Sequence, residues 1–269
     1  MKIASFNING IKARLPNLNR WLSEERPDIL GLQELKSEDS NLAEEIFKDL
    51  GYYSIFNGQK SYNGCAILSK YKITEPKFTF SGIENDNQSR WLSAEIEGLL
   101  ICNLYLPNGN PVGTDKLSYK LDWMEHLFCH TKQLVNLSKP VIIFGDFNVI
   151  PQEIDCRSTT RWINDALYHP EVRSKFFRIL NLGYYDAIRL KTRRNQLFTQ
   201  WDYQGGAWQT DDGVRIDHFL LNPQAADLLM SCGIDKYMRG REKPSDHVPV
   251  WIELATSHQN SGNYEGPPE

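Results

Sequence analysis

A β-hairpin is predicted near the middle of the chain from the stretch WLSAEIEGLLICNLYL, residues 91–106. Two apolar runs of strand length flank the dipeptide Glu97-Gly98, and glycine accepts the positive φ that a tight hairpin turn requires. Because two strands follow each other directly here, the chain is not a regular alternation of strands and helices.

Further apolar runs of strand length lie on both sides of this hairpin: KIASF (2–6), DILGLQ (28–33), CAILS (65–69), VIIFGDF (141–147), VRIDHFLL (214–221) and VPVWIEL (248–254). A second hairpin turn is predicted at Asp212-Gly213. Helical patterns are predicted at about 15–25, 41–50, 115–137, 170–182 and 223–231, the last with Asn222 as N-cap and Pro223 in the first turn. This mixture predicts an α/β fold in which two sheets pack face to face and helices cover the outside.

The composition is that of an ordinary globular protein of 269 residues with a formal net charge of −4. The chain lacks the overall basic charge that is typical of a protein coating DNA non-specifically. Basic residues could still gather on one face of an enzyme. The cysteines are few, scattered and without CxxC spacing, which predicts reduced thiols rather than a disulfide framework or a zinc site: Cys65, Cys102, Cys129, Cys156 and Cys232.

One domain over residues 1–254, followed by a polar tail over 255–269, is the predicted organisation. The tail contains Gly and Pro and is expected to be disordered. No stretch reaches the roughly 18 apolar residues that a membrane-spanning helix needs, and the first ten residues do not resemble a secretory signal. We therefore expect a soluble cytoplasmic protein, a monomer with no membrane partner.

Polar residues lie at the ends of the predicted strands. They are Asn7, Asn9, Glu34, Tyr105, Asn108, Asp146, Asn148, Asp217, Asp246 and His247. Any one of them is most often a turn or cap residue, but strand ends are also where a rigid backbone presents polar groups to a cleft. Six such strand ends in one chain favour a functional site.

The residue types favour metal-assisted hydrolysis of a phosphate ester. Hard oxygen ligands such as Glu34 and Asp246 prefer Mg²⁺ or Mn²⁺, and a nearby carboxylate can orient and deprotonate a water. Asp246 and His247 are neighbours in an extended segment, so their side chains point to opposite faces. We therefore expect His247 to take its orienting carboxylate from Asp217 and not from Asp246.

Six ordered motifs resemble the exonuclease III family of apurinic/apyrimidinic endonucleases, closest to its bacterial branch. They are SFNING, GLQELK, YLPNG, GDFNV, RIDHFLL and KPSDHVPVW, and together they span roughly residues 1–254. The resemblance implies a four-layer α/β sandwich of two mixed sheets, shared with deoxyribonuclease I-like nucleases and phosphatases. It also implies incision on the 5′ side of an abasic site, 3′→5′ exonuclease activity and 3′-phosphatase activity on duplex DNA, with Mg²⁺ or Mn²⁺ as cofactor.

The same resemblance implies a role for each matching residue. Glu34 is implied as the principal metal ligand with Asn9 and Asp246 close by, and Asp146 as the residue that orients or activates water. Asn7 and Asn148 are implied as contacts of the scissile phosphate and its surroundings, and Tyr105 as a contact of the phosphate or leaving oxygen. His247, held by Asp217, is implied as the group that stabilises phosphate charge. Asn108, which follows the same predicted strand as Tyr105, is expected to bind the substrate.

Two positions depart from the family pattern. Leu35 stands where Thr is usual, and Gln200 stands where many relatives place an aromatic residue that lines the sugar pocket. Trp201 or Trp208 is expected to supply that apolar wall instead. The balance between abasic incision and exonuclease activity therefore stays open.

Contacts with DNA are also predicted outside the strand ends. Basic segments at 189–194 and 236–243 fit either solvated loops or a rim that follows the phosphate backbone. Tyr62 and Trp208 lie in predicted loops beside glycines, which suits insertion against DNA.

Two alternatives to a DNA-repair nuclease remain. Because a fold does not determine its substrate, a phosphatase acting on a small or lipid phosphoester is possible. A non-catalytic nucleic-acid-binding regulator is disfavoured, since such a protein would have little need of these carboxylates and of His247.

Overall fold

The computed structural model describes residues 1–38 and 41–255, and within them the strands form two six-stranded sheets. In chain order the strands are β1 (Lys2–Asn7), β2 (Ile29–Gln33), β3 (Tyr53–Asn57), β4 (Cys65–Ser69), β5 (Thr74–Lys77), β6 (Trp91–Ile96), β7 (Leu99–Tyr105), β8 (Val141–Asp146), β9 (Tyr185–Asp186), β10 (Asp217–Leu221), β11 (Leu229–Ile234) and β12 (Val250–Leu254). The predicted tail lies outside the described residues from position 256 onward.

The helices are α1 (Ile11–Glu25), α2 (Asn41–Asp49), α3 (Asp115–Leu134), α4 (Pro170–Leu180), α5 (Ala187–Lys191) and α6 (Pro223–Asp227). Short 3₁₀ turns lie at Glu153–Asp155, Thr159–Arg161 and Lys236–Gly240. None of the helices in the described ranges has the length and hydrophobicity that a membrane crossing requires.

Both sheets are mixed, as predicted. The first has the order β11-β12-β1-β2-β4-β3 and the second β5-β6-β7-β8-β10-β9. The neighbours β1 and β2 run parallel, as do β7 and β8, and the other neighbours are antiparallel. The predicted hairpin over 91–106 is confirmed: β6 pairs with β7, and Glu97 and Gly98 both have positive φ, at 50° and 77°.

Three apolar layers stack through the molecule and define four layers of secondary structure. The middle layer joins the inner faces of the two sheets, with Ile3 and Ile29 packing in the same cluster as Ile142 and Phe144. Because side chains alternate across a strand, the next residue of β1, Ala4, joins the layer under α1. The third layer packs β7 and β8 against α3 and α4. The predicted four-layer α/β sandwich is therefore confirmed.

Two local predictions are wrong. The helix predicted over 223–231 ends at Asp227, because Leu229–Ile234 forms β11 and pairs with β12, which would otherwise be the sheet edge. No hairpin turn forms at Asp212-Gly213: Val214 instead bridges back to Gln200, across a loop over residues 201–213. All five cysteines are free thiols, in agreement with prediction.

Candidate active site

The site lies where both sheets bring their predicted strand ends together. Parallel pairing of β1 with β2 places Asn7 opposite Gln33, one residue before Glu34. In the other sheet the last residues of β7 and β8, Tyr105 and Asp146, lie opposite each other. Since β10 runs antiparallel to β8, its first residue, Asp217, pairs with Asp146. The topology therefore collects these side chains at one end of the sandwich.

Asp146 owes its place partly to the preceding glycine. Gly145 has a φ of 141°, and a Cβ at this position would lie 1.9 Å from the carbonyl oxygen of Leu104. A glycine therefore lets β8 approach β7 closely just before Asp146 leaves the sheet. Asp146 Oδ1 then accepts a hydrogen bond of 2.8 Å from the backbone N–H of Asn148, which leaves Oδ2 facing the cleft.

One amide joins the two sheets at the site. The Nδ2 group of Asn7 donates to Glu34 Oε1 and to Asp146 Oδ2, both at 2.9 Å. Oxygen and nitrogen atoms of Glu34, Asp146 and His247 lie within 4.8 Å of one another, a grouping that could hold a metal ion. Asn7 is fully buried, so this bridge is fixed by packing as well as by hydrogen bonds.

The ammonium group of Lys36 lies among the predicted metal ligands. Lys36 Nζ lies 2.7 Å from Glu34 Oε2 and donates to Asn9 Oδ1 at 2.5 Å. Asn9 in turn donates to Asp246 Oδ1 at 2.8 Å. Positive charge is therefore stabilised at this position, and the hard oxygen donors fit a divalent metal ion. Asn9, Glu34 and Lys36 all have φ near +50°, an uncommon backbone conformation that concentrates strain at the site.

His247 is held by Asp217, as the residue spacing predicts. Its Nδ1–H donates to Asp217 Oδ2 at 2.9 Å, and its Nε2 faces Asp146 Oδ2 at 3.7 Å. Asp217 Oδ2 also accepts a hydrogen bond of 2.6 Å from the hydroxyl of Thr199. Sequence reasoning missed Thr199, because a Thr in a loop carries no signal until the fold places it behind Asp217.

The carboxylates around His247 keep its imidazole charged. Burial disfavours the charge, but Asp217, Asp146 and Asp246 outweigh that effect and raise the pKa of His247 well above its usual value. Burial raises the pKa of Asp146 to about 7, although His247 counteracts this. A protonated imidazole has no lone pair for a metal, so the carboxylates are the better candidate ligands and His247 the better candidate for a phosphate contact.

Tyr105 is a neutral hydrogen-bond donor beside the carboxylates. Burial, together with Glu34 and Asp146, raises the pKa of its phenol well above the usual value. The guanidinium of Arg90 stacks on its ring, 4.9 Å from the ring centre, and donates to its backbone carbonyl oxygen. This stacking fixes the ring at the edge of the cleft.

Two asparagines complete the cleft. Exposed Asn108 donates from Nδ2 to Asn148 Oδ1 at 3.1 Å, and Asn148 donates from its own Nδ2 to the carbonyl oxygen of Leu106. Asn148 has a φ of 49°. The loops after β7 and β8 therefore present their amides as one unit.

The predicted aromatic contacts have different outcomes. Trp201 as a substrate contact is wrong: its side chain is fully buried against Phe198 and Trp208, and its indole N–H donates to Asp211. Trp208 is half-buried on Trp201, whereas Tyr62 lies in a loop and is 69% exposed. Contacts of DNA with Trp208 and Tyr62 stay predictions.

The departures from the family pattern lie at the site. Gln200 Nε2 is 3.4 Å from Asp246 Oδ2, so an amide contacts a predicted metal ligand where an aromatic ring is usual. Leu35 is buried in the apolar layer behind Glu34. Within the predicted basic rim, Arg189 pairs with buried Asp155 and Arg239 donates to the carbonyl of Trp201, so these two cations are structural.

Comparisons with known proteins identify the family of this chain. Residues 4–247 match the model of the endonuclease/exonuclease/phosphatase family. An exodeoxyribonuclease III of Haemophilus influenzae is 34% identical over 94% of this chain and 100% of its own. Among solved structures, the 3′ phosphatase NExo from Neisseria, bound to a product DNA hairpin, superposes with a TM-score of 0.92 at 32% identity, covering 95% of this chain and 100% of its own. An AP endonuclease from Archaeoglobus fulgidus gives 0.90 at 34% identity, with the same coverage of both chains.

The resemblance predicted from the six sequence motifs is thus confirmed over most of the chain. The two mixed sheets agree with it. This chain belongs to the endonuclease/exonuclease/phosphatase family, within its exonuclease III group.

Proposed function

We propose that this chain is a DNA-repair nuclease that hydrolyses phosphodiesters of duplex DNA and depends on Mg²⁺, with Mn²⁺ as a substitute. Its activities are 3′→5′ exonuclease, 3′-phosphatase and incision at abasic sites that leaves a 3′-hydroxyl. The observation that carries the proposal is the Asn7 amide, which joins Glu34 and Asp146 from different sheets in reach of a charged His247.

Asp146 is the base in the proposed reaction. Its Oδ2 atom faces the cleft and accepts a proton from water, whose oxygen then attacks phosphorus. His247 presents Nε2–H to the non-bridging oxygens, where negative charge develops, and Asp217 holds the ring in that orientation. The new P–O bond forms as the bond to the leaving sugar oxygen breaks, and its electron pair passes to that oxygen.

Neutral donors position the phosphate. Amides of Asn148 and Asn108 donate to phosphate oxygens without adding negative charge, and the phenol of Tyr105 donates to the phosphate or the leaving oxygen. Glu34, with Asn9 and Asp246, would hold the metal ion. Such an ion neutralises phosphate charge and stabilises the leaving oxygen.

The names of the relatives support the range of activities. An exodeoxyribonuclease III, a 3′ phosphatase solved with product DNA and an AP endonuclease all match over most of this chain. A phosphatase acting on a small or lipid phosphoester is the second candidate, because a fold does not determine its substrate. Five free thiols support a reducing compartment, and we further propose a cytoplasmic monomer.

One experiment separates these functions and tests the metal. Purified protein is incubated with Mg²⁺, or with EDTA, on a duplex with an abasic site, a duplex with a recessed 3′-phosphate and a small phosphomonoester. We expect cleavage of both duplexes with Mg²⁺ only. Release of phosphate from the small ester alone would establish the second candidate, and two uncut duplexes would disprove the nuclease.

Thermal unfolding gives a second measure of the metal that does not depend on activity. We expect Mg²⁺ at about ten times its Kd to stabilise the protein by about 1.4 kcal/mol, because only the folded state binds it. Glu34→Gln should lose most of this stabilisation. An equal shift in wild type and variant would contradict the proposed ligand.

A further inference from the structure

Lys120 is a fully buried lysine on the inner face of α3. It lies among apolar residues that pack on the second sheet, with Trp123 and Met124 close along the same helix. Burying an ammonium group costs free energy unless it gains strong partners. Burial lowers the pKa of Lys120 to about 7, while Asp146 and Asp165 counteract this and Arg90 adds to it.

The partners of the ammonium are two backbone carbonyl groups of the active site. Lys120 Nζ donates to the carbonyl oxygen of Asn108 at 3.0 Å and to that of Asn148 at 2.6 Å. These residues belong to the loops that follow β7 and β8. One buried lysine therefore holds two separate loops at the residues whose side chains are proposed to bind the phosphate.

The loop after β7 wraps closely around the lysine side chain. Gly109 has a φ of 88°, and a Cβ there would lie 2.7 Å from Lys120 Cδ and 3.1 Å from Ala166 Cβ. The carbonyl group of Asn108 is thereby directed at the ammonium. Asn148, whose backbone is left-handed with a φ of 49°, has its carbonyl group held by the same Nζ atom.

We propose that Lys120 is a positioning residue, which joins the loops after β7 and β8 so that the amides of Asn108 and Asn148 keep one fixed arrangement at the phosphate. It acts through the backbone of these two residues and does not touch the substrate. The inference deepens the proposed function and rests on it, since both asparagines are taken there as phosphate contacts. Misplacement of binding groups by small distances is enough to slow such a reaction strongly.

Lys120→Met tests this role, because it removes the terminal nitrogen and keeps an unbranched apolar chain of the remaining length. We expect kcat for release of a 3′-phosphate from duplex DNA to fall by about tenfold or more, with KM changed by less than about threefold. Lys120→Gln, which keeps one donor group, should lie between wild type and Lys120→Met, and it carries the test if the Met variant does not fold.

A double-mutant cycle separates positioning from general damage. If Lys120 acts through Asn108 and Asn148, Lys120→Met should lower kcat by less than about twofold in an Asn108→Ala/Asn148→Ala background. An equal fold-change in both backgrounds, or full kcat in Lys120→Met, would overturn the proposal. Thr131→Val is the matched control: Thr131 is a fully buried polar residue of the same helix, about 16 Å further along, and should leave kcat unchanged.

Hydrogen exchange tests the joined loops without any turnover. In Lys120→Met the amides of residues 106–110 and 147–150 should exchange at least about tenfold faster, while β7 and β8 stay protected. Thr131→Val should leave both loops as in wild type. If the wild-type protein were inactive, the proposed function would fail, while the exchange result would still show whether Lys120 joins the loops. Unchanged exchange in Lys120→Met would overturn the inference itself.

Discussion

Two buried ionic clusters meet strand β10 from opposite faces, and they differ in charge balance. Asp217 faces the site, where four carboxylates stand against the two cations of Lys36 and His247; the others are Glu34, Asp146 and Asp246. His218 faces a second group, the arginine cluster, in which Asp155 and Asp186 pair with Arg189 and Arg215. The adjacent residues Asp217 and His218 thus belong to two different clusters. The charges of the first are unbalanced, and those of the second are balanced.

The difference in charge balance between the two clusters shows in the hydrogen bonds of their carboxylates. Arg215 is fully buried and donates to Asp155 at 2.6 Å and to Asp186 at 2.8 Å. By contrast Asp217 Oδ1 is a buried carboxylate oxygen without a hydrogen-bond partner in the described part of the chain, although Nε of Arg189 in the arginine cluster also lacks one there. Paired charges stabilise the arginine cluster as a support, whereas excess carboxylate at the site leaves it ready to take up positive charge.

The two histidines show the same difference. Both are buried, yet the pKa of His218 is lowered to about 4 by burial and by the adjacent Arg215, whereas carboxylates raise that of His247. His218 Nδ1 accepts from Arg215 at 3.0 Å, and its Nε2–H donates to the carbonyl oxygen of Val149. A neighbouring charge, and not burial alone, therefore decides which histidine is cationic.

Asp146→Asn should give the largest effect, and it should be on activity alone. Without a base for the attacking water, we expect kcat for 3′-phosphate release to fall by about 10³-fold. Because the substitution also removes charge from an unbalanced cluster, the metal-free protein should lose no more than about 1 kcal/mol of stability. Steady-state kinetics and urea unfolding measure the two quantities.

A matched variant far from both clusters controls for this exchange of Asp by Asn. Asp227 is exposed in α6, and Asp227→Asn should change kcat by less than about twofold and stability by less than about 0.5 kcal/mol. If Asp146→Asn retained a tenth of wild-type kcat, Asp146 would not be the base.

Arg215→Met should lower stability and leave activity nearly unchanged, the opposite of Asp146→Asn. It leaves Asp155 and Asp186 buried without their main partner, and breaking a buried pair in this way costs about 3–5 kcal/mol. Per folded molecule, we expect kcat to stay within about fivefold of wild type, because Arg215 touches no residue proposed to bind the phosphate. Urea unfolding followed by tryptophan fluorescence checks the first expectation.

An exposed ion pair supplies the comparison for Arg215. Arg178 pairs with Glu125 on the surface, where its side chain is 44% exposed, so Arg178→Met should cost less than about 1 kcal/mol. Equal losses for Arg178→Met and Arg215→Met would contradict the structural role of the arginine cluster.

Sequence patterns predict the residues of the site better than they predict the buried cations that support it. Asp146 and Asp217 adjoin apolar runs of strand length, which places them at a sheet end. The contact of His247 with Asp217 follows from the alternation of side chains along an extended segment. Lys120 and Arg215 carry no such signal, because a cation inside a polar-apolar pattern indicates a solvent-exposed position until the fold places partners around it.

The errors in the fold have a similar origin. The segment 229–234 was predicted partly as helix because local propensity cannot show that β12 offers it an unpaired edge. The prediction that Trp201 contacts the substrate has the same cause. The sequence does not show that its ring is buried, which only its packing against Phe198 and Trp208 reveals. In both cases a tertiary contact overrode a local pattern.

A pH dependence of stability gives the smallest of the expected effects and tests the contrast between the histidines. His218 has a lower pKa in the folded protein, about 4, than in the unfolded chain, about 6.5, so the unfolded state binds more protons between these values. Its contribution is fully present above pH 6.5 and is lost as the pH falls toward 4. From pH 7 to pH 5 this amounts to about 2 kcal/mol.

His218→Gln removes this titration and keeps an amide that can donate to Val149. The free energy of unfolding of wild type should therefore fall by about 2 kcal/mol more than that of the variant between pH 7 and pH 5, as urea unfolding at both pH values would show. His247 should behave in the opposite way, since its raised pKa stabilises the folded state on acidification. A parallel loss in wild type and His218→Gln would mean that burial and Arg215 do not hold His218 neutral, and that the two sides of β10 differ less in their electrostatics than their contacts indicate.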